Sequence, residues 1–514
     1  MKRKMLNRLM AASLAAIMTV GMVGCGDNND SSNQGGNESQ GNSGNQGDTG
    51  NQGGDTGNQG GDVVDGGEDV GPYGAPLVDP ATGQTYDLGG MEIVIADWWT
   101  NPDDEVESEY NDAVHAYHDW LEETYNFTLR QEGLYGWGDG EGSSIEAFTR
   151  AATGAPEGNY IYVLASLASV MSAAQSGLMY DISTLDCLDL TESKWTMAGD
   201  TQLWTMGGKT NCWTVGPGEP RTGVFFNRTV LKDAGINPDD LYDWQASGEW
   251  TWDKFIEVMD KVQRDTNNDG EIDVYGCVQN NGNMIEMAVY SNGGSLIKQN
   301  ADGTFALGVT DDASRQALHW ATDEVTTKYF EPYDSGANWE EFKGLFLSGT
   351  AAFCVDDAYC GYANGWLNNT EGFEDFDFGW VAFPKGPQAS NYTAKFSNNL
   401  FALPASYDAD TAWKIMFAYN LWTEDIPGFE GYWGLEDNFY AGFPDTRAVI
   451  ETAHILNGEG ADGMTPLHPF ISGIDTGAPF LWNLYAGADV DAVIDGVIAP
   501  WQTVIDEQNA KAAN

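Results

Sequence analysis

Positive charge is scarce in this chain. There are 23 Lys and Arg against 78 Asp and Glu in 514 residues, a formal net charge of −55. Nucleic acids and anionic lipid surfaces both need a basic patch, so this imbalance argues against either as a partner. Histidine is scarcer still, with five scattered copies, and no His-Glu-x-x-His, Gly-x-Ser-x-Gly or phosphate-loop motif occurs. The usual marks of zinc proteases, α/β-hydrolases and P-loop enzymes are therefore missing. Cysteine is limited to Cys25, Cys187, Cys212, Cys277, Cys354 and Cys360. Their spacing is neither zinc-like nor that of a disulfide framework, and the five after Cys25 read as buried free thiols.

What is present begins with an export signal. Lys2, Arg3, Lys4 and Arg8 precede an apolar run from Leu9 to Val23 that is too short for a permanent membrane span. The run ends in Met22-Val23-Gly24-Cys25, which resembles the lipobox of bacterial lipoproteins. The expectation is a signal over residues 1–25 and acylation of Cys25, with an ordinary cleaved signal as the other reading; two acyl chains anchor where one does not. Residues 26–85 are rich in Gly, Asn, Gln and Asp and, as far as about Val70, almost free of apolar side chains. Such a stretch does not bury enough surface to offset its ordering entropy, so a tether is expected.

The remaining residues, about 430, are rich in aromatics and ample for two core-bearing lobes. Apolar runs predict strands at Met91–Ala96, Phe127–Gln131, Tyr160–Ala165, Val224–Phe226 and Phe401–Pro404. Helical periodicity predicts helices over Glu107–Thr124, Ser144–Ala152, Leu167–Ser176, Trp252–Arg264, Ala313–Lys328, Trp339–Leu347 and Ala409–Trp422, and over Val490–Gln508 with an interruption at Pro500. This alternation makes the fold class α/β, with mostly parallel sheets covered on both faces. In such sheets ligands sit beyond the C-terminal strand ends, which points at Trp98, Trp99 and Ser166. A separate motif, Asp265 to Asp273, sets Asp265, Asn267, Asp269 and Asp273 at positions 1, 3, 5 and 9 of a calcium-type loop, with Gly270 at the sharp turn and Glu271 at the carbonyl position. Position 12 is Gly276 rather than Glu. The segment thus reads either as a structural calcium site or as an Asx-rich turn that needs no metal.

Several ordered segments carry a family likeness. They are Ala174-Gln175-Ser176-Gly177-Leu178, Val224-Phe225-Phe226-Asn227-Arg228, Thr251-Trp252-Asp253-Lys254-Phe255, Ser291-Asn292-Gly293-Gly294, Ser348-Gly349-Thr350-Ala351-Ala352-Phe353, Phe383-Pro384-Lys385-Gly386 and Pro500-Trp501-Gln502. Each is weak alone, but in this order they resemble the extracellular solute-binding proteins of ABC importers, the family that includes maltose-binding protein. The resemblance implies two α/β lobes of the periplasmic-binding-protein type, hinged, with the ligand trapped between them. It places the first lobe at 86–217 plus 395–440 and the second at 222–394 plus 445–514.

The same resemblance implies a carbohydrate as ligand, ABC permease subunits as partners, a monomer on the outer face of the membrane, no catalysis and no required cofactor. A sugar site needs flat rings and planar polar groups. Family positions nominate Asp97, Trp98, Trp99, Ser166, Asn281, Asn283, Asp356, Asp357, Tyr359, Asp445, Arg447 and Trp482. Asp356 and Asp357 read equally as helix caps, and Arg447 as a structural partner of Asp445. The competing readings are a secreted glycoside hydrolase, which also needs aromatics and paired carboxylates, and a surface glycan-binding protein without an importer.

Overall fold

The computed structural model describes residues 72–512, except 139, 155, 166, 198–204, 207, 217, 279–282, 301–303, 333–337, 339, 397–398, 457–463, 467–473 and 475. Cys25, Ser166 and Asn281 lie outside the described residues. Val78–Asn514 form one compact unit; of the other, Met1–Leu77, a turn at residues 72–73 is described. The stretch 78–85, expected as the end of the tether, is instead folded. Val78 bridges Thr85, and the Asp79 carboxylate accepts the amide of Ala81 at 2.8 Å. Such an Asx turn lets a polar segment satisfy its own backbone.

Eight strands form two four-stranded sheets: β1 (Met91–Asp97), β2 (Phe127–Gly133), β3 (Asn159–Leu164), β4 (Thr222–Asn227), β5 (Tyr275–Cys277), β6 (Ala351–Asp357), β7 (Phe378–Ala382) and β8 (Leu400–Ala402). One sheet has the order β8-β3-β1-β2, with β1 parallel to both neighbours and β8 antiparallel to β3. Its centre, Ile93 to Ala96, is buried on both faces, as the unbroken apolar run requires. The other sheet has the order β7-β4-β6-β5. Here the expectation of a mostly parallel sheet fails, because β4 runs antiparallel to both β6 and β7. The central strand enters directly from a crossing segment instead of following a helix, so its direction is set from outside the sheet.

The chain passes between the sheets three times. Trp213 exchanges backbone hydrogen bonds with Phe401 of β8, and Thr222 then opens β4. β7 leads back to β8. The helix Ala409–Trp422 packs on the first sheet, after which Phe439 and Phe443 join the core of the second. That core is aromatic: Phe225, Trp380, Phe439 and Phe443 pack with ring centroids 5.1–6.1 Å apart. Each such pair adds about 0.5–1.5 kcal/mol beyond the area it buries.

Helix ends follow local rules. Ser108 caps Glu109–Tyr125 by accepting the amide of Asn111, and Thr251 caps Trp252–Val262 through Lys254. The C-terminal helix departs from expectation, running unbroken from Val490 to Ala512 with Pro500 inside. Proline frees the carbonyl four residues back and crowds it. Here that residue is Gly496, where an added Cβ would meet nothing within 4 Å, and both positions are exposed. Water can therefore take the freed carbonyl. The expected Ala313–Lys328 helix contains a π-helical stretch, Trp320–Thr326, which begins at a Trp320 stacked on Trp252 at 4.1 Å.

Under the first sheet, His118 stacks on Trp422 at 3.4 Å, and its Nε2 lies 3.1 Å from the Trp422 carbonyl. The neutral ring donates Nε2–H to that oxygen. Burial pushes the His118 pKa down from 6.5 to about 4. The unfolded chain therefore binds a proton below pH 6.5 that the folded chain refuses. This contribution is fully present above pH 6.5 and is lost as pH falls toward 4. Thermal midpoints should show it: His118→Gln should remove about 2 kcal/mol of acid sensitivity across that window, with a flatter profile than the wild type.

Candidate functional site

Two groups of side chains gather at strand ends. The first follows β1. Asp97 is fully buried, and its carboxylate is saturated. Oδ1 accepts the amides of Trp99 at 3.0 Å and Thr100 at 2.9 Å, while Oδ2 accepts Thr100 Oγ1 at 2.5 Å and Gln131 Nε2 at 2.6 Å. Asp97 thus shapes the turn that presents Trp98 and Trp99. The two indoles meet edge-on at 4.9 Å, and Trp99 keeps 43% of its surface exposed. The amides of Leu134 and Tyr135 bond to the Asp97 carbonyl, which brings the loop after β2 to the same edge. That loop carries Trp137, 75% exposed, a ring the sequence reading missed. The strand-end rule applied to β2 as well as β1 would have found it.

The second group joins the start of β4 to the end of β6, where Thr222 pairs with Asp357 and Gly223 with Asp356. Thr222 Oγ1 donates to Asp357 at 2.6 Å; Asp356, nearly buried, accepts the amide of Asp357 at 2.9 Å and Trp366 Nε1 at 3.3 Å. A tight 3-10 turn, Ala358–Gly361, then exposes Tyr359, with 44% of its surface open. The Arg221 guanidinium lies over the Tyr359 ring, 5.3 Å from its centroid, and pairs with Glu219 at 3.0 Å. Glu219 also accepts the Tyr362 hydroxyl at 2.7 Å. Neither Glu219 nor Arg221 was picked out from sequence. The available signal was a cation among acids just before the apolar run Val224-Phe225-Phe226.

The structure does not bring every nominated residue to these two ends. Asp445 pairs with Arg228, and Arg447 with Asp243 at 2.7 Å and Glu451 at 2.5 Å. Arg228 directly follows Asn227, the last residue of β4, so this network sits at the far end of that strand from Thr222. Asp445 is thus bound in place by a cation the reading did not consider, and Arg447 by two acids. Asn283 opens the helix Asn283–Ser291 and is half-buried. Trp482 is 65% exposed at the start of a short helix packed beside the C-terminal one.

The Asp265–Asp273 loop is satisfied from within. Asp265 accepts the amides of Asn268 at 2.6 Å and Gly270 at 2.8 Å, and Asp273 accepts both the amide and the hydroxyl of Thr266. Those bonds hold the Asp273 carboxyl below the usual carboxylate range. Gly276, at position 12, lies in β5, where an added Cβ would press on Met259 and Tyr329 at 3.0 Å. A longer side chain at that position would therefore need both neighbours to shift. Among the described residues no group of three or more His, Cys, Asp or Glu is placed to hold a metal ion. The described cysteines are free; four are buried, and burial raises their thiol pKa values.

Residues 199–418 match the family described as bacterial extracellular solute-binding protein. The arabinooligosaccharide-binding protein of Bacillus subtilis is 28% identical over 136 residues, 26% of this chain and 27% of that protein. The match thus spans about a quarter of that relative's length. Three solved structures share the fold over most of the chain. The cyclic alpha-maltosyl-1,6-maltose binding protein of Arthrobacter globiformis is 15% identical, covers 82% of this chain and 100% of its own, and has a TM-score of 0.54. UgpB of Mycobacterium tuberculosis, solved with glycerophosphocholine, gives 14%, 80%, 98% and 0.53. The GacH receptor of Streptomyces glaucescens GLA.O, solved unliganded and with acarbose, gives 15%, 81%, 99% and 0.50. At these identities the likeness establishes the fold, which is that of the two-lobed solute-binding proteins. The resemblance read from the ordered motifs is borne out.

Proposed function

We propose that this chain, which belongs with the bacterial extracellular solute-binding proteins, is the substrate-binding component of an ABC importer and captures a neutral carbohydrate. In this reading it works outside the cytoplasm, is held to the membrane by acylated Cys25, and delivers its ligand to the permease with every bond of that ligand intact.

The observation that carries the reading is the pairing of open rings with satisfied polar neighbours. Trp99 and Trp137 at one sheet's edge, and Tyr359 at the other's, expose large surfaces that a folded protein ordinarily buries. A flat, rigid ring loses little entropy on binding and matches the weakly apolar face of a sugar. The surrounding carboxylates are already hydrogen-bonded, Asp97 four times over. That saturation supports a role in holding rings and hydroxyls and makes Asp97 a poor nucleophile. The Arg221 charge is matched by Glu219, and the chain as a whole carries −55, so among the described residues the cation named at this edge is already paired and an anionic guest is disfavoured.

The test is a thermal-shift and calorimetric screen of the full chain with maltotriose, maltohexaose, arabinotriose and xylotriose. At least one should raise the melting temperature by a few degrees at a hundredfold excess over Kd. No shift with any of the four would remove the carbohydrate class. Release of reducing ends during incubation would instead support the hydrolase reading.

A further inference from the structure

We propose that Arg221 is a positioning residue for ligand recognition, acting through Tyr359. This rests on the carbohydrate reading above and deepens it at one residue.

Tyr359 stands on a short turn and keeps 44% of its surface open. Arg221 contacts its ring from the adjoining segment. Its guanidinium covers one face of the ring at 5.3 Å, which leaves the ring's remaining surface, 44% of the residue, for a guest. Cation–ring contacts are strongest when the cation is desolvated, and only 16% of the Arg221 side chain is exposed. Three further contacts keep the guanidinium and the turn in register. Glu219 holds Nη2, the Arg221 carbonyl accepts the amide of Ala358 at 2.5 Å, and Tyr362 bonds back to Glu219. The crossing segment and the Tyr359 turn are thus one hydrogen-bonded piece. Arg221 belongs to the segment that leads from the first sheet into the second, so any movement of that segment is passed to the ring. Lysine cannot reproduce the flat stacked geometry, although it keeps the charge.

A double-mutant cycle decides the matter. Calorimetry on the full chain would use whichever of maltotriose, maltohexaose, arabinotriose and xylotriose binds best. The variants are Arg221→Met, which keeps an apolar stem, Arg221→Lys, Tyr359→Ala and the double Arg221→Met/Tyr359→Ala. Arg221→Met should weaken binding about tenfold and Arg221→Lys by less. In the Tyr359→Ala background the further loss from Arg221→Met should be under twofold, because the ring it positions is gone. The ligand-free protein supplies a second readout. A ring NMR signal that disappears in Tyr359→Phe should shift in Arg221→Met, showing the face contact directly even if that variant is less stable. If the losses simply add, or that ring signal stays in place, Arg221 does not act through Tyr359 and the inference falls while the carbohydrate reading stands. If the wild type binds none of the four sugars, both fall together.

Discussion

Trp99→Ala should weaken saccharide binding about thirtyfold while moving the melting temperature by no more than about two degrees. The first figure follows from the cost of removing an anchoring indole, about 2 kcal/mol, at 1.4 kcal/mol per decade. The second follows from exposure. Trp99 already leaves 43% of its surface in water, and its neighbours are held by Asp97 through backbone amides and Thr100, which the substitution leaves alone. The contrast between affinity and stability is the point of the experiment. A residue that served packing would lose both together. Titration calorimetry with the best sugar, alongside a melting curve, separates the two. An unchanged Kd would mean that the edge of the first sheet is not where the ligand stacks.

The largest loss of stability is expected from Gly223→Ala. Gly223 pairs with Asp356 on one side and Ala382 on the other, so it lies in a doubly flanked strand. A Cβ there would run into Trp380 Nε1 and come within 2.7 Å of the Val381 carbonyl. Trp380 is fully buried and the carbonyl belongs to the sheet, so neither can yield without moving β4 against β7. Overpacking of this kind costs about 3 kcal/mol. Gly496→Ala provides the control. It lies on an exposed helical face with open space around it, and alanine there should be neutral or stabilising by up to about 1 kcal/mol. Urea denaturation of the three proteins ranks them. A Gly223 variant as stable as the wild type would show that the sheet relaxes more freely than its packing implies.

How far the sequence spoke depended on the kind of interaction. Met91-Glu92-Ile93-Val94-Ile95-Ala96 announced a buried strand because burial on both faces leaves an unbroken apolar run, and the helix that starts at Trp252 announced itself by its apolar period. These signals are local. The antiparallel setting of β4 was not legible, since strand direction depends on where the chain comes from. Pro500 misled for a related reason: its cost depends on whether the carbonyl of Gly496 can reach water, which is a fact about the surface. Asp445 and Arg447 looked like a cleft pair, yet Arg228 claims one and Asp243 with Glu451 the other. Such partners lie more than two hundred positions apart for Arg228 and Asp445, and no pattern records them. Arg221 was hidden similarly, its meaning residing in a ring on a turn far along the chain.

The position of β8 has a consequence for how the molecule is made. That strand completes the first sheet by pairing with β3, yet it lies at residues 400–402, after every strand of the second sheet. A chain truncated before residue 400 would therefore hold all four strands of the second sheet, yet it would lack both the last strand of the first sheet and the Phe439 and Phe443 rings that cover the second.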